Sequence, residues 1–141
     1  MNDDVAADGE LVMRNDIADI TLMAEFVDGL CEKYQLPADV GFSLNLALEE
    51  AVVNVMKYAY PEGEEHNIVL SVKLTDNRLM FKLIDAGEPF DPTVVPDADV
   101  SLSAEERQIG GLGIFLVRQI MDAVEYRRID GKNILTMIKL V

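Results

Sequence analysis

Gly110-Gly111-Leu112-Gly113-Ile114-Phe115-Leu116-Val117 places three glycines directly ahead of an apolar run that reads as the opening of a helix. Glycine lets successive amides turn inward and lets a ligand approach the main chain. The start of a helix adds unpaired N–H groups and the positive end of its dipole. Together these bind anions, phosphate above all. Three glycines before a helix also serve as a tight turn or a close packing contact, so the stretch takes its meaning from what lies upstream.

The first upstream motif lies on a predicted helix. Pro37 and Asp39 open it, Leu44, Leu48, Ala51, Val55 and Ala59 follow the 3.6-residue period, and Pro61-Glu62-Gly63 stops it. Glu50, Asn54 and Lys57 are spaced i, i+4, i+7 beside those apolar positions and form one polar stripe. One reading is a solvated helix face. The other gives each residue a chemical role. An Asn carboxamide oxygen suits Mg²⁺, which takes few protein oxygens and relies on phosphate and water for the rest. Lys57 would neutralise phosphate charge, and Glu50 would orient or deprotonate an attacking hydroxyl. The second motif, Leu83-Ile84-Asp85-Ala86-Gly87-Glu88-Pro89-Phe90-Asp91-Pro92, is a strand running out into a loop. Asp85 is either a turn-former or the acceptor of a hydrogen bond from a base amino group, with Gly87 letting a flat purine lie against the backbone.

The rest of the chain limits what those motifs can belong to. With 141 residues, 50% of them hydrophobic, residues 1–141 form one domain around one core. The 26 acidic residues against 12 basic ones, a net charge of −14, exclude direct nucleic-acid binding. The single cysteine, Cys31, lies in a helical pattern and reads as core, which excludes a disulfide framework and fits a reducing cytoplasm. No apolar run approaches the length of a membrane span, and Met1–Val5 lacks the basic and apolar regions of a signal peptide.

A short strand is expected at Glu10–Arg14, then a helix capped by Asn15-Asp16 and running from about Ile17 to Tyr34, with Ile17, Ile20, Met23/Ala24, Val27 and Leu30/Cys31 on its core face. Asn67–Thr75 and Arg78–Asp85 read as one hairpin, and Val124–Ile129 and Asn133–Leu140 as another. Residues 86–109 make a loop far longer than the usual 4–6 or so residues, with a capping box at Ser103-Ala104-Glu105-Glu106 that predicts a short helix. His66, the only histidine, reads as a solvated residue of a polar turn. The order implies an α+β two-layer sandwich, a mostly antiparallel mixed sheet with helices on one face.

The succession Glu50-x-x-x-Asn54, Asp85-x-Gly87, Gly111-x-Gly113 resembles the N, G1 and G2 boxes of the GHKL ATPases, which share the Bergerat fold. Within that superfamily, Glu50-Ala51-Val52-Val53-Asn54 and the stretches 84–92 and 110–122 are similar to the anti-sigma factor serine/threonine kinases of bacterial partner switching. The resemblance runs from the first helix to the final hairpin. It implies Glu50 as catalytic base, Asn54 as Mg²⁺ ligand, Asp85 as the adenine-binding carboxylate and Gly87 as part of the base pocket. It also implies Gly110, Gly111 and Gly113 as phosphate-loop glycines and residues 86–109 as an ATP lid. Arg107 would stabilise charge near the phosphates, or stand as a solvated lid arginine.

One departure is Lys57-Tyr58, where the anti-sigma kinases often carry a histidine after the basic residue. With no candidate histidine for autophosphorylation, the acceptor is expected in trans. The resemblance thus implies a cytoplasmic Mg-ATP-dependent kinase that binds a sigma factor, phosphorylates a STAS-type antagonist and forms a homodimer. A nucleotide-regulated adaptor without phosphotransfer and a free-standing ATPase are the alternatives.

Overall fold

A computed structural model describes residues 8–61, 63–94 and 111–141. Its elements are β1 (Gly9–Arg14), α1 (Ile20–Tyr34), α2 (Ala38–Tyr58), β2 (Asn67–Thr75), β3 (Arg78–Asp85), α3 (Gly111–Ile120), β4 (Ala123–Ile129) and β5 (Lys132–Leu140). Single 3₁₀ turns at Ile17–Asp19 and Pro92–Val94 complete the described chain. The expected capping box at 103–106, Arg107, Gly110 and most of the 86–109 loop lie outside the described residues.

The strands form one sheet in the order β1-β2-β3-β5-β4. Every strand pairing among the described residues is antiparallel, in line with the mostly antiparallel sheet expected. Both hairpins turn in two residues. Asp130 and Gly131 take φ of 51° and 77°, the mirror-image geometry that matches the twist of the flanking strands, and Asp76 takes 56°. Alternation then sends one side of each strand inward. Met13, Ile68, Leu70, Val72, Leu79, Phe81, Leu83, Leu135 and Met137 are all buried. Register makes these residues rows across the sheet: Val72 faces Phe81, Phe81 faces Met137, and Leu83 lies between Leu70 and Leu135.

The helices cover that side. α2 is the central helix, packed between α1 and α3, and it buries Leu44, Ala47, Leu48, Ala51 and Val52. α1 contributes Met23, Val27 and Leu30, and α3 contributes Ile114 and Val117. No helix among the described residues is long and apolar enough to cross a membrane.

The start of α1 departs from the sequence expectation. Asp16 does cap, its Oδ1 accepting the Ala18 N–H at 3.0 Å, but it caps the 3₁₀ turn. Asp19 then accepts the Arg14 backbone N–H at 2.8 Å and the Arg14 guanidinium at 3.0 Å, tying the turn back to β1. The α-helix therefore begins at Ile20, and Ile17 is left 59% exposed instead of joining the core. Cys31 is half-buried, against the core rather than inside it. His66 is not simply solvated either: it is half-buried, its ring stacks on Tyr60 at 4.1 Å and its Nε2 lies 2.9 Å from Glu64.

Phe81 occupies the middle of the sheet with no exposed surface. Phe81→Ala is expected to destabilise the fold by about 3–5 kcal/mol in urea titration, against under about 0.5 kcal/mol for Val12→Ala on the exposed edge strand. Similar losses for the two would contradict the core described here.

Candidate functional site

β3 carries three core residues at alternate positions, Leu79, Phe81 and Leu83, and the next inward position is Asp85. Alternation thus delivers a carboxylate into the end of the core, where it is 5% exposed. A buried carboxylate needs donors. Asp85 Oδ1 accepts the Gly87 N–H at 2.9 Å and Asn133 Nδ2 at 2.9 Å. Oδ2 takes no hydrogen bond among the described residues.

The turn after Asp85 is fixed at three further points. The Tyr60 hydroxyl accepts the Ala86 N–H at 2.8 Å, the Ala59 carbonyl accepts the Glu88 N–H at 2.8 Å, and Arg128 Nη1 donates to the Gly87 carbonyl at 2.7 Å. Burial pushes the Tyr60 phenol pKa upward, so it stays a neutral hydroxyl. Gly87 is required by contact: a β-carbon there would lie 2.2 Å from the Ala59 carbonyl oxygen, a backbone atom with nowhere to move. The end of α2 and the β3 turn are therefore locked together through backbone.

Above this turn is a cleft of about 410 Å³, open solvent at its mouth included. Asp85, Asn54, Ile114, Phe90, Tyr126 and Asn133 all contribute to its lining. Asn54 is 5% exposed and its side chain takes no hydrogen bond among the described residues, leaving the carboxamide for a ligand. Glu50 and Lys57 lie on the same helix one turn either side. Glu50 is half-buried and Lys57 exposed, and both stand beside the lining rather than in it. Gly111 and Gly113 fall within α3, and Ile114 directly after them lines the cleft. No group of three or more His, Cys, Asp or Glu able to hold a metal occurs among the described residues. A lone carboxamide fits a cation that takes one or two protein oxygens and completes its shell with phosphate and water.

The structure thus brings Asn54, Asp85 and the start of α3 to one cleft. It also adds residues that sequence reading missed. Asn133, Tyr126 and Phe90 line the cleft, and Arg128 braces the turn beneath it. Asn133 had a signal: it shares the parity of Leu135 and Met137, and a polar residue on the core side of a strand is informative. Phe90 and Pro92 lie inside the 83–92 motif, but a loop with no periodicity gives no sign of which of its residues line a cleft.

Residues 13–139 match the histidine kinase-like ATPase domain. The chain is 33% identical to the serine/threonine-protein kinase BtrW of Bordetella bronchiseptica over 71% of this chain and 70% of that one. It is 30% identical to the serine-protein kinase RsbW of Halalkalibacterium halodurans over 82% of this chain and 72% of that one. The chain belongs to the GHKL anti-sigma factor serine/threonine kinase family. A chain of the SiaB–SiaC complex from Pseudomonas aeruginosa shares the fold, with a TM-score of 0.56, 12% identity, and coverage of 93% of this chain and 89% of that one.

As a member of a histidine kinase-like ATPase family, this kinase binds ATP. Its Gly87 and Gly29 separate two uses of glycine. Nothing lies within 4 Å of a β-carbon built on Gly29 inside α1. Gly29→Ala is expected to stabilise by about 0.5–1 kcal/mol, through helix propensity. Gly87→Ala should destabilise and disturb the Asp85 turn. Thermal melts of both check this, and a neutral Gly87→Ala would remove the packing argument.

Proposed function

We propose that this chain is an Mg-ATP-dependent anti-sigma factor and protein-serine kinase that phosphorylates a STAS-type antagonist. The observation that carries the reading is the pairing, across one cleft, of two buried polar groups with unused capacity: Asp85 Oδ2 and the Asn54 carboxamide. Both line the cleft, and a nucleotide presents a match for each at its two ends. Asp85 accepts the adenine amino group, with Gly87 at the edge of the base pocket. The amides of Gly110, Gly111 and Gly113 receive the phosphates, with Lys57 and Arg107 spreading their charge. Asn54 is the protein ligand for Mg²⁺, which supplies further neutralisation of phosphate charge when bound.

Glu50 takes the proton of the incoming serine hydroxyl as its oxygen bonds to the γ-phosphorus, the bond to the β-phosphate bridging oxygen breaks, and ADP leaves. Residues 86–109 act as the lid that excludes water. A sigma factor is the second partner: with a net charge of −14, the protein steers a basic segment toward itself. The protein works in the cytoplasm as a homodimer. The helix-free side of the sheet offers a surface for that pairing in the row Val12, Val69, Ile84 and Ile134, which register places side by side. A nucleotide-regulated adaptor is the second reading, favoured by the position of Glu50 beside the cleft lining rather than in it.

Two substitutions separate binding from chemistry. Asp85→Asn is expected to weaken ATP binding by about ten- to a hundredfold in calorimetry, the loss of a charged acceptor in a buried pocket. Glu50→Gln is expected to bind ATP as the unaltered protein does and to transfer phosphate to an antagonist serine about 10²–10⁴ times more slowly. Full transfer by Glu50→Gln removes it as the base; no transfer by the unaltered protein to any STAS antagonist establishes the adaptor.

A further inference from the structure

Asn133 is the most heavily bonded side chain at the site. It is 5% exposed, and register sets it directly opposite Asp85 on the neighbouring strand. Its Nδ2 donates to Asp85 Oδ1 at 2.9 Å and to the Glu88 carbonyl at 2.8 Å. Its Oδ1 accepts the Tyr126 hydroxyl at 2.5 Å, Arg128 Nη1 at 3.1 Å and, more distantly, the Phe90 N–H at 3.4 Å. The amide has one orientation only, because a flip would set its oxygen against a carboxylate and a carbonyl and its NH₂ against three donors. Both of its amide hydrogens are used within the protein, and its oxygen is saturated. Asn133 therefore has no donor left for a ligand.

We propose that Asn133 is a positioning residue for base recognition: it holds Asp85 by Oδ1 so that Oδ2 alone is presented to the exocyclic amino group of the purine. This rests on the assignment of Asp85 to the base. The β4–β5 hairpin then shapes nucleotide specificity through Asp85, besides lining the cleft with Tyr126 and Asn133. Tyr126 and Arg128 fix the amide, the amide fixes one carboxylate oxygen, and the other oxygen, a pure acceptor, selects a base that carries a donor there. A freely rotating Asp85 would present a less defined acceptor, and the selection would weaken.

The test compares ATP with purine riboside 5′-triphosphate, which lacks the 6-amino group, by calorimetry on the full chain. The unaltered protein is expected to prefer ATP by about tenfold or more. Asn133→Ala should weaken ATP by about tenfold and the analogue by under about twofold, collapsing the preference. Tyr126→Phe, which keeps the ring, removes only one bond to the Asn133 oxygen. It should shift the preference the same way by about two- to threefold, and it keeps the question open to experiment if Asn133→Ala does not fold. Equal weakening of both nucleotides by these variants would make Asn133 merely structural and overturn the proposal, as would an unchanged preference. If Asp85→Asn itself leaves the preference intact, the assignment of Asp85 to the base fails, and the proposal falls with it for that separate reason.

Discussion

A carboxylate at the buried end of a β-strand is the constraint around which the site is arranged. Strand alternation puts Asp85 inside, the apolar surroundings make its charge costly, and the hydrogen bonds that keep it there recruit β5, β4 and the end of α2. Asn133 answers from the opposite strand, and Tyr126 and Arg128 answer Asn133. The Gly87 turn closes against the Ala59 carbonyl so tightly that no side chain fits between them. Each contact satisfies a group that burial would otherwise leave unpaired. The result is a floor for the cleft in which the Asp85 carboxylate, the Asn133 amide, the Tyr126 hydroxyl and the Arg128 guanidinium are hydrogen-bonded to one another and to backbone.

The wall above that floor follows from helix packing. α2 lies between α1 and α3, so one of its faces is committed to core leucines and alanines, and the edge of that face brings Asn54 to the cleft beside Ala51 and Val55. The same packing sets α3 beside the cleft, against α2. Ile114 is buried against the cleft and anchors the glycine-rich first turn beside it. A preorganised pocket of this kind lowers the ordering cost of binding. Family membership accounts for the nucleotide; the geometry accounts for how so small an α+β layer pair can hold one.

Much of this was legible in the sequence because it depends on period. The apolar repeat in 44–59 placed α2 and with it the Glu50, Asn54, Lys57 stripe, and Asp130-Gly131 fixed the last hairpin by turn chemistry. Asp85 and the glycines stood out as motifs at element ends. What was not legible depends on pairing between distant segments. Asn133 takes its meaning from Asp85, 48 positions earlier. The start of α1 differs from its sequence pattern because Asp16 satisfies a helix-cap pattern locally, while the bond from Asp19 back to Arg14 decides the outcome. His66 read as solvated because a stacking partner at Tyr60 is invisible to composition.

The central claim is that Asp85 and Asn54 hold opposite ends of one nucleotide. A crystal structure of the protein with Mg²⁺ and a non-hydrolysable ATP analogue tests it most directly. The account predicts the purine amino group within hydrogen-bond distance of Asp85 Oδ2, Asp85 Oδ1 still held by Asn133, and the metal on the Asn54 carboxamide with the phosphates at the start of α3. A nucleotide whose base lies away from Asp85, or whose metal has no contact with Asn54, would contradict it.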